Sequence, residues 1–300
     1  MLLDEPLSGY TTYRIGGLAA AVLRPLGVED VAVALQFCVE TGVPVLALGL
    51  GSNVLVADGG FSGLVIHLGK GMDRVVEGEA EEHVWRVGAG FPTPRLARRT
   101  AAAGLAGAQR LIGIPGTVGG GIAVNAGAHG QEYSQIVQRV EYLDMDGVLR
   151  EMPGSDIQWG YRDSGFRDVV ITSAAIKLCP ADRAELEDDI RRRMEWRRQR
   201  TPFAEPCCGS VFKNPRPQLV GEGQEGVPRA QQEAAGQLID AAGLKGFRIG
   251  AAEVSRKHAN YIVNLGGATA ADVLSVVDAV RQAVLREFGV ELELEIRIIY

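Results

Sequence analysis

The fold is decided by the stretch Gly113-Ile114-Pro115-Gly116-Thr117-Val118-Gly119-Gly120-Gly121, which continues through Asn125-Ala126-Gly127-Ala128-His129-Gly130. A shorter glycine loop, Leu48-Gly49-Leu50-Gly51-Ser52-Asn53, follows the apolar run Pro44–Leu48, which has the length of a buried strand. Glycine lets the main chain approach a ligand closely, so backbone amides in such loops can cradle phosphate groups. Two separate loops favour an extended dinucleotide over a mononucleotide.

The first loop departs from the dinucleotide-binding pattern of a Rossmann fold. Val54 stands where the third glycine of that pattern belongs, and the residues Val54–Ala57 indicate a strand instead of a helix. Alone, this loop is equally consistent with a tight turn between strands. The second stretch is too apolar for a solvated linker, because it contains Ile114, Val118 and Ile122. Its many glycines predict neither a stable helix nor a regular strand there.

Regular elements are predicted on both sides of the glycine loops. Apolar periodicity indicates helices at Val28–Thr41, from Thr93 to Gly104, and over Asp182–Arg200. The strands Val140–Leu143 and Val148–Met152 flank an Asp-Gly turn, which is typical of a hairpin.

A helix and a strand are predicted at the end of the chain. Thr269 and Asp272 form a capping-box pattern, and one helical stripe follows at Val273, Val277, Val280 and Val284. After Gly289, apolar residues alternate with charged ones as far as Ile298. This alternation predicts a single strand with a polar face of Glu291, Glu293, Glu295 and Arg297.

Bulk composition limits the classes of function. The 300 residues are 46% hydrophobic, enough for a full core in two or three structural units. The formal net charge of -6 argues against a broad nucleic-acid-binding surface. No apolar leader is legible, and the longest apolar run, Val43–Val56, is interrupted by Gly, Ser and Asn, so we expect a cytoplasmic protein with no membrane partner. The cysteines and histidines lack metal-ligand spacing, so we expect reduced thiols and no metal.

The run Arg191–Arg200 is the strongest hint of a nucleic-acid or other anionic partner. Acidic residues stand four positions before its first three arginines, at Glu187, Asp188 and Asp189. A salt-bridged helix therefore explains most of this charge. A module that binds an anionic partner through this helix remains the alternative from another class of protein.

Nine motifs, in order along nearly the whole chain, resemble those of the UDP-N-acetylenolpyruvoylglucosamine reductase family. Each motif alone is weak, but the ordered set is highly specific. The short path from Arg162 to Ser210 resembles the family's second subtype, which lacks a long insertion. The motifs are Thr12–Gly17, Gly49–Leu55, Gly113–Gly121, Tyr161–Arg167, Gly209–Pro215, Ala235–Ile239, Gly243–Gly246, Val254–Asn260 and Leu292–Arg297.

The resemblance implies an α+β fold. An FAD-binding domain of the vanillyl-alcohol-oxidase type would occupy residues 1–185, in lobes of about 1–70 and 71–185. A smaller α/β substrate-binding domain would occupy 186–300, with its last strand contributing Glu295 to the active site.

The resemblance also implies the reaction. NADPH is the co-substrate, and non-covalently bound FAD carries its hydride to the enolpyruvyl ether of UDP-N-acetylglucosamine, which gives UDP-N-acetylmuramate for peptidoglycan synthesis. The partners implied are these small molecules, with no nucleic acid. Another FAD-dependent oxidoreductase of the same superfamily, such as a sugar or hydroxy-acid oxidase, is the alternative among enzymes.

Three residues are assigned to the chemistry by this resemblance. Ser210 would donate a proton to the substrate carbon, while Arg162 and Glu295 would stabilise the negatively charged intermediate. The residue pattern alone favours ordinary interpretations: a turn serine, a solvated arginine and a glutamate on the polar face of a strand.

The resemblance assigns further residues to the ligands. Arg200 matches the family position at which a basic residue meets the substrate diphosphate, and the other candidates for the substrate are Tyr161, Lys213, Asn214 and Lys245. The candidates for FAD are Gly49, Gly51, Ser52, Asn53, Pro115, Gly116, Thr117, Gly119, Gly120, Asn125, Gly127 and Ala128. The chain departs from the family at His129, where Tyr is usual, at Tyr261, where Phe is common, and over residues 216–233, which follow no family pattern.

Overall fold

The computed structural model describes residues 1–78, 82–215 and 233–300. The chain forms two compact units with discontinuous boundaries. Unit 1 comprises Met1–Glu5, Ala19–Leu50 and Ser62–Arg197, and unit 2 comprises Pro6–Leu18, Gly51–Phe61 and Arg198–Tyr300.

These bounds differ from the predicted boundary between residues 185 and 186. Two short N-terminal segments belong to unit 2, and most of the arginine-rich helix belongs to unit 1. Most of the stretch without a family pattern, residues 216–232, lies outside the described residues. The assignment of a ligand to each predicted domain stays a prediction.

The helices and strands have the following bounds. The α-helices are α1 (Val28–Thr41), α2 (Thr93–Ala102), α3 (Val118–Ala123), α4 (Arg183–Arg200), α5 (Ala235–Ala241) and α6 (Ala270–Phe288). The strands are β1 (Leu2–Pro6), β2 (Leu18–Leu23), β3 (Val45–Leu48), β4 (Val54–Val56), β5 (Phe61–His67), β6 (Val75–Glu77), β7 (Val84–Gly88), β8 (Leu105–Ala106), β9 (Gly127–Ala128), β10 (Gln131–Glu132), β11 (Val137–Asp144), β12 (Leu149–Pro153), β13 (Val169–Lys177), β14 (Cys179–Pro180), β15 (Arg248–Ile249), β16 (Ala252–Val254), β17 (Ile262–Asn264) and β18 (Arg297–Ile299).

Unit 1 is built on two sheets. One has the strand order β1-β2-β5-β3, with β3 and β5 parallel, and the other is antiparallel with the order β12-β11-β13-β7-β6. A common core buries Leu35 of α1, Trp85 of β7 and Ile122 of α3. The α+β class is confirmed, while the division of the first domain into two lobes stays a prediction.

The predicted helix α1 and hairpin β11–β12 are confirmed. Val31, Leu35 and Cys38 of α1 are buried, and Gly42 ends the helix in the left-handed region at φ 70°. Along the hairpin, Val140 pairs with Met152 in an antiparallel register. Apolar periodicity was a sufficient signal for both elements.

The second glycine stretch contains α3, so the prediction that its glycines exclude a helix is wrong. Thr117 caps the helix, because its hydroxyl accepts a bond from the Gly120 amide at 3.4 Å. A β-carbon on Gly119 would lie 2.6 Å from the Ala89 side chain, and one on Gly121 would lie 2.3 Å from the Tyr133 ring. Close packing stabilises this helix against the low helix propensity of glycine.

Unit 2 packs α5, α6 and the sheet β15-β16-β17 around its own core. Thr269 caps α6 as predicted, and the valines of its predicted stripe are buried. The Asp58 carboxylate also accepts bonds from the first amides of α6, those of Ala270 at 2.8 Å and Ala271 at 3.0 Å. The negative charge of Asp58 therefore meets the positive end of the helix dipole.

The predicted strand from Val290 to Ile298 is too long. Only Arg297–Ile299 pairs as a strand, in parallel with Val54–Val56, and a single bridge joins Leu294 to Phe212. Burial alternates from Val290 to Glu293 as predicted, whereas Leu294 and Glu295 are both partly buried. The sequence pattern predicts which side chains are buried. It does not predict the strand pairing, because that depends on whether the tertiary structure provides a neighbouring strand long enough to form a ladder.

Three general features of the described residues bear on function. No described helix is both long and apolar enough to cross a bilayer. Within the same residues, no group of three or more histidine, cysteine or acidic side chains could hold a metal ion. All four cysteines are free thiols.

Candidate active site

The two glycine loops meet within unit 1 at Gly49. A β-carbon on Gly49 would lie 2.4 Å from the hydroxyl oxygen of Thr117, so a larger residue could not occupy this position. Leu48, just before it, accepts a bond from the Leu68 amide at 2.8 Å, which fixes the loop to the end of β5. The contact brings residues from both predicted phosphate loops together.

Some backbone amides of the second loop are already engaged within the protein. The amides of Val118 and Gly119 donate to the carbonyls of Phe91 and Ala89, both at 2.9 Å. Gly119 is buried, so its glycine is required by packing. The exposed part of the loop consists of Pro115 and Gly120, which flank the buried Gly116 and Thr117. A ligand would reach the loop at these two exposed positions.

Asn125 holds a fixed position beside the loop. It adopts a left-handed conformation at φ 42° and is only 1% exposed. Its amide nitrogen donates to Glu132 at 3.0 Å and to the Gly160 carbonyl at 2.9 Å, and its oxygen accepts from the Ser134 amide. These bonds make Asn125 an anchor for the hairpin β9–β10, which contains the predicted FAD residues Gly127 and Ala128. Donation from Asn125 to a cofactor would require one of these bonds to break.

Arg162 lies in a tight turn between Gly160 and Asp163. The two flanking residues form an isolated antiparallel bridge, with the Gly160 amide donating to the Asp163 carbonyl at 2.8 Å. Arg162 has φ 57°, a region that favours glycine. Its guanidinium lies 4.9 Å from the centre of the Tyr161 ring, and its side chain is 20% exposed. The alternative of a fully solvated arginine is therefore wrong.

Asp163 stabilises the same turn. Its carboxylate accepts a bond from Arg167 at 2.7 Å and one from the Gly165 amide at 3.1 Å. The Arg167 bond, followed by the Gly165 amide, lowers the pKa of Asp163 to about 2. Ser164 ties the turn to the end of α3 through a bond to the Ala123 carbonyl at 3.0 Å.

Ser210 and Glu295 are brought together within unit 2. The Glu295 amide donates to the carbonyl of Val211, the residue after Ser210, at 2.8 Å. Asn53 from the first glycine loop donates to the Glu295 carbonyl at 3.2 Å. On the same side, Gly209 approaches the Ser52 carbonyl. Two predicted catalytic residues and two predicted cofactor residues therefore share one neighbourhood.

The backbone around Ser210 is fixed by Asn260. The Asn260 side chain accepts from the Phe212 amide at 2.9 Å and donates to the Phe212 carbonyl at 2.8 Å. Behind the loop, burial raises the pKa of the Cys208 thiol, and burial also raises the pKa of Tyr13 beside it. Both groups are therefore neutral at physiological pH and support the loop as apolar contacts. Gly51 completes this region, close to the Tyr10 carbonyl.

Glu295 differs from the other glutamates of its segment. The side chains of Glu291 and Glu293 are 77% exposed, and each contacts a basic residue at the surface. Glu295 is only partly exposed, next to the fixed Ser210 loop. The interpretation of three equivalent solvated glutamates is therefore wrong for Glu295.

The predicted substrate residues in unit 2 already have contacts within the protein. Lys213 lies 3.7 Å from Glu293, and Lys245 lies 2.5 Å from Asp240. The Asn214 side chain accepts a bond from the Ala235 amide at 3.1 Å, at the start of α5. Arg200 is exposed at the end of α4.

The arginine-rich helix is salt-bridged, as predicted. Arg192 pairs with Asp188 at 2.5 Å and Arg193 with Asp189 at 2.9 Å. One detail differs, because Glu187 pairs with the preceding Arg183 at 2.7 Å. Asp182 begins the helix by accepting the Glu185 amide at 2.9 Å. These pairs offset the charge of the first arginines in the run Arg191–Arg200 on which the anionic-partner alternative depends.

His129, the departure from the usual tyrosine, lies against α4. Its ring is 5.6 Å from that of Trp196, edge to face. Burial, followed by the charges of Arg193 and Arg197, lowers the pKa of His129, so the imidazole is neutral at physiological pH. Its Nε2 atom is buried and has no hydrogen-bond partner among the described residues. The ring therefore fills space against Trp196 as an aromatic residue.

Two family profiles match the chain. The profile of the UDP-N-acetylenolpyruvoylglucosamine reductase C-terminal domain matches residues 201–299, and that of an FAD binding domain matches residues 19–152.

Similar proteins cover the chain from end to end. UDP-N-acetylenolpyruvoylglucosamine reductases from Heliobacterium modesticaldum and Rubrobacter xylanophilus are 40% and 42% identical, over 99% of this chain and 90% and 94% of theirs. The crystal structure of the Thermus caldophilus enzyme superposes with a TM-score of 0.80 at 32% identity, covering 100% of this chain and 98% of that one. The chain belongs to the UDP-N-acetylenolpyruvoylglucosamine reductase family.

Proposed function

We propose that this chain reduces the enolpyruvyl ether of UDP-N-acetylglucosamine to UDP-N-acetylmuramate in peptidoglycan precursor synthesis, with NADPH as co-substrate. The observation that carries the proposal is the contact between the Ser210 loop and Glu295, in a chain that matches this family over its full length. We place the activity in the cytoplasm, with small molecules as partners and neither nucleic acid nor membrane.

The glycine loops fit FAD as a non-covalent cofactor. The space above Gly49 is closed by Thr117, and Gly120 is exposed beside it with no side chain to keep a pyrophosphate away from the backbone. When bound, FAD supplies the hydride chemistry between NADPH and the substrate. We propose that Gly49 and the second loop, with Gly127 and Ala128, bind FAD within unit 1. Gly51, Ser52 and Asn53 are further candidates for FAD.

Arg162 supplies a fixed positive charge in this proposal. Reduction of an enol ether next to a carboxylate places negative charge on the α-carbon and the carboxylate. A guanidinium stabilises that charge best when it is already oriented, because no reorganisation is then needed during the reaction. The turn between Gly160 and Asp163 and the Tyr161 ring provide that orientation.

Ser210 donates the proton that completes the reduction. Glu295 acts next to Ser210, either by transferring a proton or by orienting the groups around it. A serine hydroxyl is a weak acid, so it donates effectively only to a strongly basic carbon and from a fixed position. Asn260 fixes the backbone just after Ser210, and the bond from Glu295 to Val211 fixes the glutamate beside it. The alternative enzyme, an oxidase of the same superfamily, does not protonate a substrate carbon and therefore does not require Ser210 and Glu295.

The remaining candidates bind the UDP part of the substrate. Arg200 is exposed at the end of α4, where it can meet a diphosphate, and Tyr161, Lys213 and Asn214 are assigned to the same ligand. Lys245 would have to leave Asp240 to reach a ligand. A diphosphate contact of Arg200 is remote from the reacting carbon and contributes mostly uniform binding.

Replacing Ser210 by alanine tests the proposal. Flavin content and bleaching of the flavin absorbance by NADPH should be unchanged, because neither needs a proton at the substrate carbon. Recovery of the absorbance on adding the enolpyruvyl substrate should slow by roughly 10²–10⁴-fold, the usual contribution of a positioned general acid. Ser210→Cys should restore part of the rate, since a thiol also donates a proton.

The matched control is Ser275→Ala, on the exposed face of α6, where the hydroxyl bonds only locally to the Ala271 carbonyl. That variant should behave as the parent protein does. Normal recovery in Ser210→Ala, with a defect confined to the NADPH step or to FAD binding, would make Ser210 a structural turn residue.

A further inference from the structure

We propose that Glu132 is a positioning residue for Arg162, through which its carboxylate sets the rate of substrate reduction. This inference rests on the proposed role of Arg162 and extends it to a residue that no motif singled out. Glu132 lies in β10, the second strand of the two-residue hairpin with β9. The interaction is contained entirely in unit 1.

The conformation of Arg162 needs support from its surroundings. In a turn of this kind, arginine populates the left-handed backbone conformation of the order of tenfold less than glycine does. Such residues persist only where the surrounding structure over-determines them, and they concentrate at functional sites. Here the Gly160–Asp163 bridge fixes the backbone, and side-chain contacts have to restrict the rotamer freedom of the long Arg162 side chain.

Glu132 and Tyr161 together restrict that freedom. The Tyr161 ring contacts the guanidinium at 4.9 Å from the ring centre, and Glu132 Oε1 lies 3.9 Å from Arg162 Nη1. An ion pair at this distance, with a glutamate 34% exposed, adds little to stability. Its effect is geometric, because a ring contact and a carboxylate define one orientation of a planar group.

Asn125 connects the carboxylate to the turn. The same amide group donates to Glu132 Oε2 at 3.0 Å and to the carbonyl of Gly160, the first residue of the turn, at 2.9 Å. One glutamate oxygen is therefore held by the buried amide while the other faces Arg162. The carboxylate and the arginine turn are therefore both hydrogen-bonded to the same buried amide group.

The test compares Glu132→Gln with the parent holoenzyme under anaerobic conditions. Glutamine keeps an oxygen for Asn125 but removes the charge that faces Arg162. Recovery of the flavin absorbance by the enolpyruvyl substrate should slow about 10–100-fold, the usual effect of slight misplacement of a catalytic group. The substrate KM, the flavin content and the rate of bleaching by NADPH should change less than about twofold, since none of them uses the charge that develops on the substrate.

Two further variants complete the design. Glu151→Gln is the matched control, because it removes a carboxylate that pairs with Arg139 at 3.1 Å on the surface of the same unit. It should leave both half-reactions unchanged. Glu132→Asp keeps the charge and should lose less rate than Glu132→Gln, so it carries the prediction if the glutamine variant does not fold.

A double-mutant cycle with Arg162→Ala separates the possible results. If Glu132 acts through Arg162, Glu132→Gln causes no further loss in the Arg162→Ala background. Equal losses in both backgrounds, or flavin loss with both half-reactions slowed alike, would overturn the positioning role. Normal recovery in Arg162→Ala would remove the proposed role of Arg162 and this inference with it. If the flavin absorbance recovers slowly in Arg162→Ala but normally in Glu132→Gln, the positioning role of Glu132 is wrong and the proposed role of Arg162 stands.

Discussion

Arginine is used in two ways in unit 1. Along α4, Arg191, Arg192 and Arg193 are ion-paired to acidic residues three or four positions earlier on the same helix. In the turn after Gly160, Arg162 stands alone in sequence, in a left-handed conformation and partly buried against Tyr161. The first set is prominent in the sequence, whereas the second is a single residue within a motif.

The difference shows that the density of charge is a poor guide to the site. Local i, i+4 pairs stabilise an exposed helix by a few tenths of a kcal/mol each and leave little net field for a partner. A single arginine that is restrained by tertiary contacts loses less orientation entropy when it meets a charged substrate. We therefore expect the largest functional effects at Arg162 and the smallest along the middle of α4.

The same truncation in the two regions should give the largest contrast. Arg162→Ala should slow recovery of the flavin absorbance by substrate about 10²–10³-fold, the size measured when one electrostatic group is removed from an oxyanion site. Arg192→Ala should leave this rate within about twofold. Anaerobic stopped-flow absorbance measures both. Similar rates for the two variants would contradict the distinction between the regions.

The end of α4 should behave differently from its middle. Arg200→Ala should raise the KM for the UDP substrate about tenfold with little change in kcat, because a diphosphate contact remote from the reacting carbon contributes uniform binding. The KM for NADPH, which also carries a diphosphate, would rise too if the ligands use the site in turn. Arg191→Ala, paired with Asp188 at 2.9 Å, is the control and should change neither constant. An unchanged KM for both ligands in Arg200→Ala would show that Arg200 contacts neither diphosphate and is only part of the salt-bridged helix.

Acid should weaken the turn around Arg162 through Asp163. The folded pKa of Asp163, about 2, lies below its ordinary value of 3.8, so its contribution to stability is present above about pH 4 and is lost as the pH falls towards 2. Asp163→Asn should therefore lower the free energy of unfolding at pH 7 by less than about 1 kcal/mol, given its exposure. Denaturant titrations at pH 7 and pH 3 measure this. A difference between variant and parent that does not shrink at pH 3 would contradict the assignment.

The smallest effect is expected from the acidic partner in α4. Asp188→Asn removes the partner of both Arg191 and Arg192, and should lower the free energy of unfolding by only about 0.3–0.5 kcal/mol per pair. High salt should reduce this difference further, because exposed pairs are screened. A gain in DNA binding by this variant at physiological salt would show that the arginines were held back from an anionic partner.

Much of the fold is predictable from the sequence because its signals are local. The buried face of α1, the hairpin β11–β12 and the capped helix α6 follow from periodicity and turn residues within about twenty positions. The strand after the first glycine loop is also local, and β4 forms where a Rossmann fold would have a helix. The family motifs add the α+β class and the reaction.

The missed features depend on contacts between distant residues. The helix α3 forms because Gly119 and Gly121 fit against Ala89 and Tyr133, which no local propensity describes. Asn125 as a cofactor donor stays a prediction, and its bonds to Glu132 and Gly160 add an anchoring role that the sequence does not indicate. Glu132 itself follows a glycine loop without any periodic pattern, and only its contacts point to it.

The central claim is that this chain transfers reducing equivalents from NADPH to an enolpyruvyl ether through FAD. The most direct test is the absorbance of the purified, FAD-loaded protein under anaerobic conditions. We expect oxidised flavin absorbance that NADPH bleaches and that the enolpyruvyl ether of UDP-N-acetylglucosamine restores, with acid releasing intact FAD from the protein. A flavin that NADPH does not bleach, or whose absorbance the enolpyruvyl substrate does not restore, would contradict it.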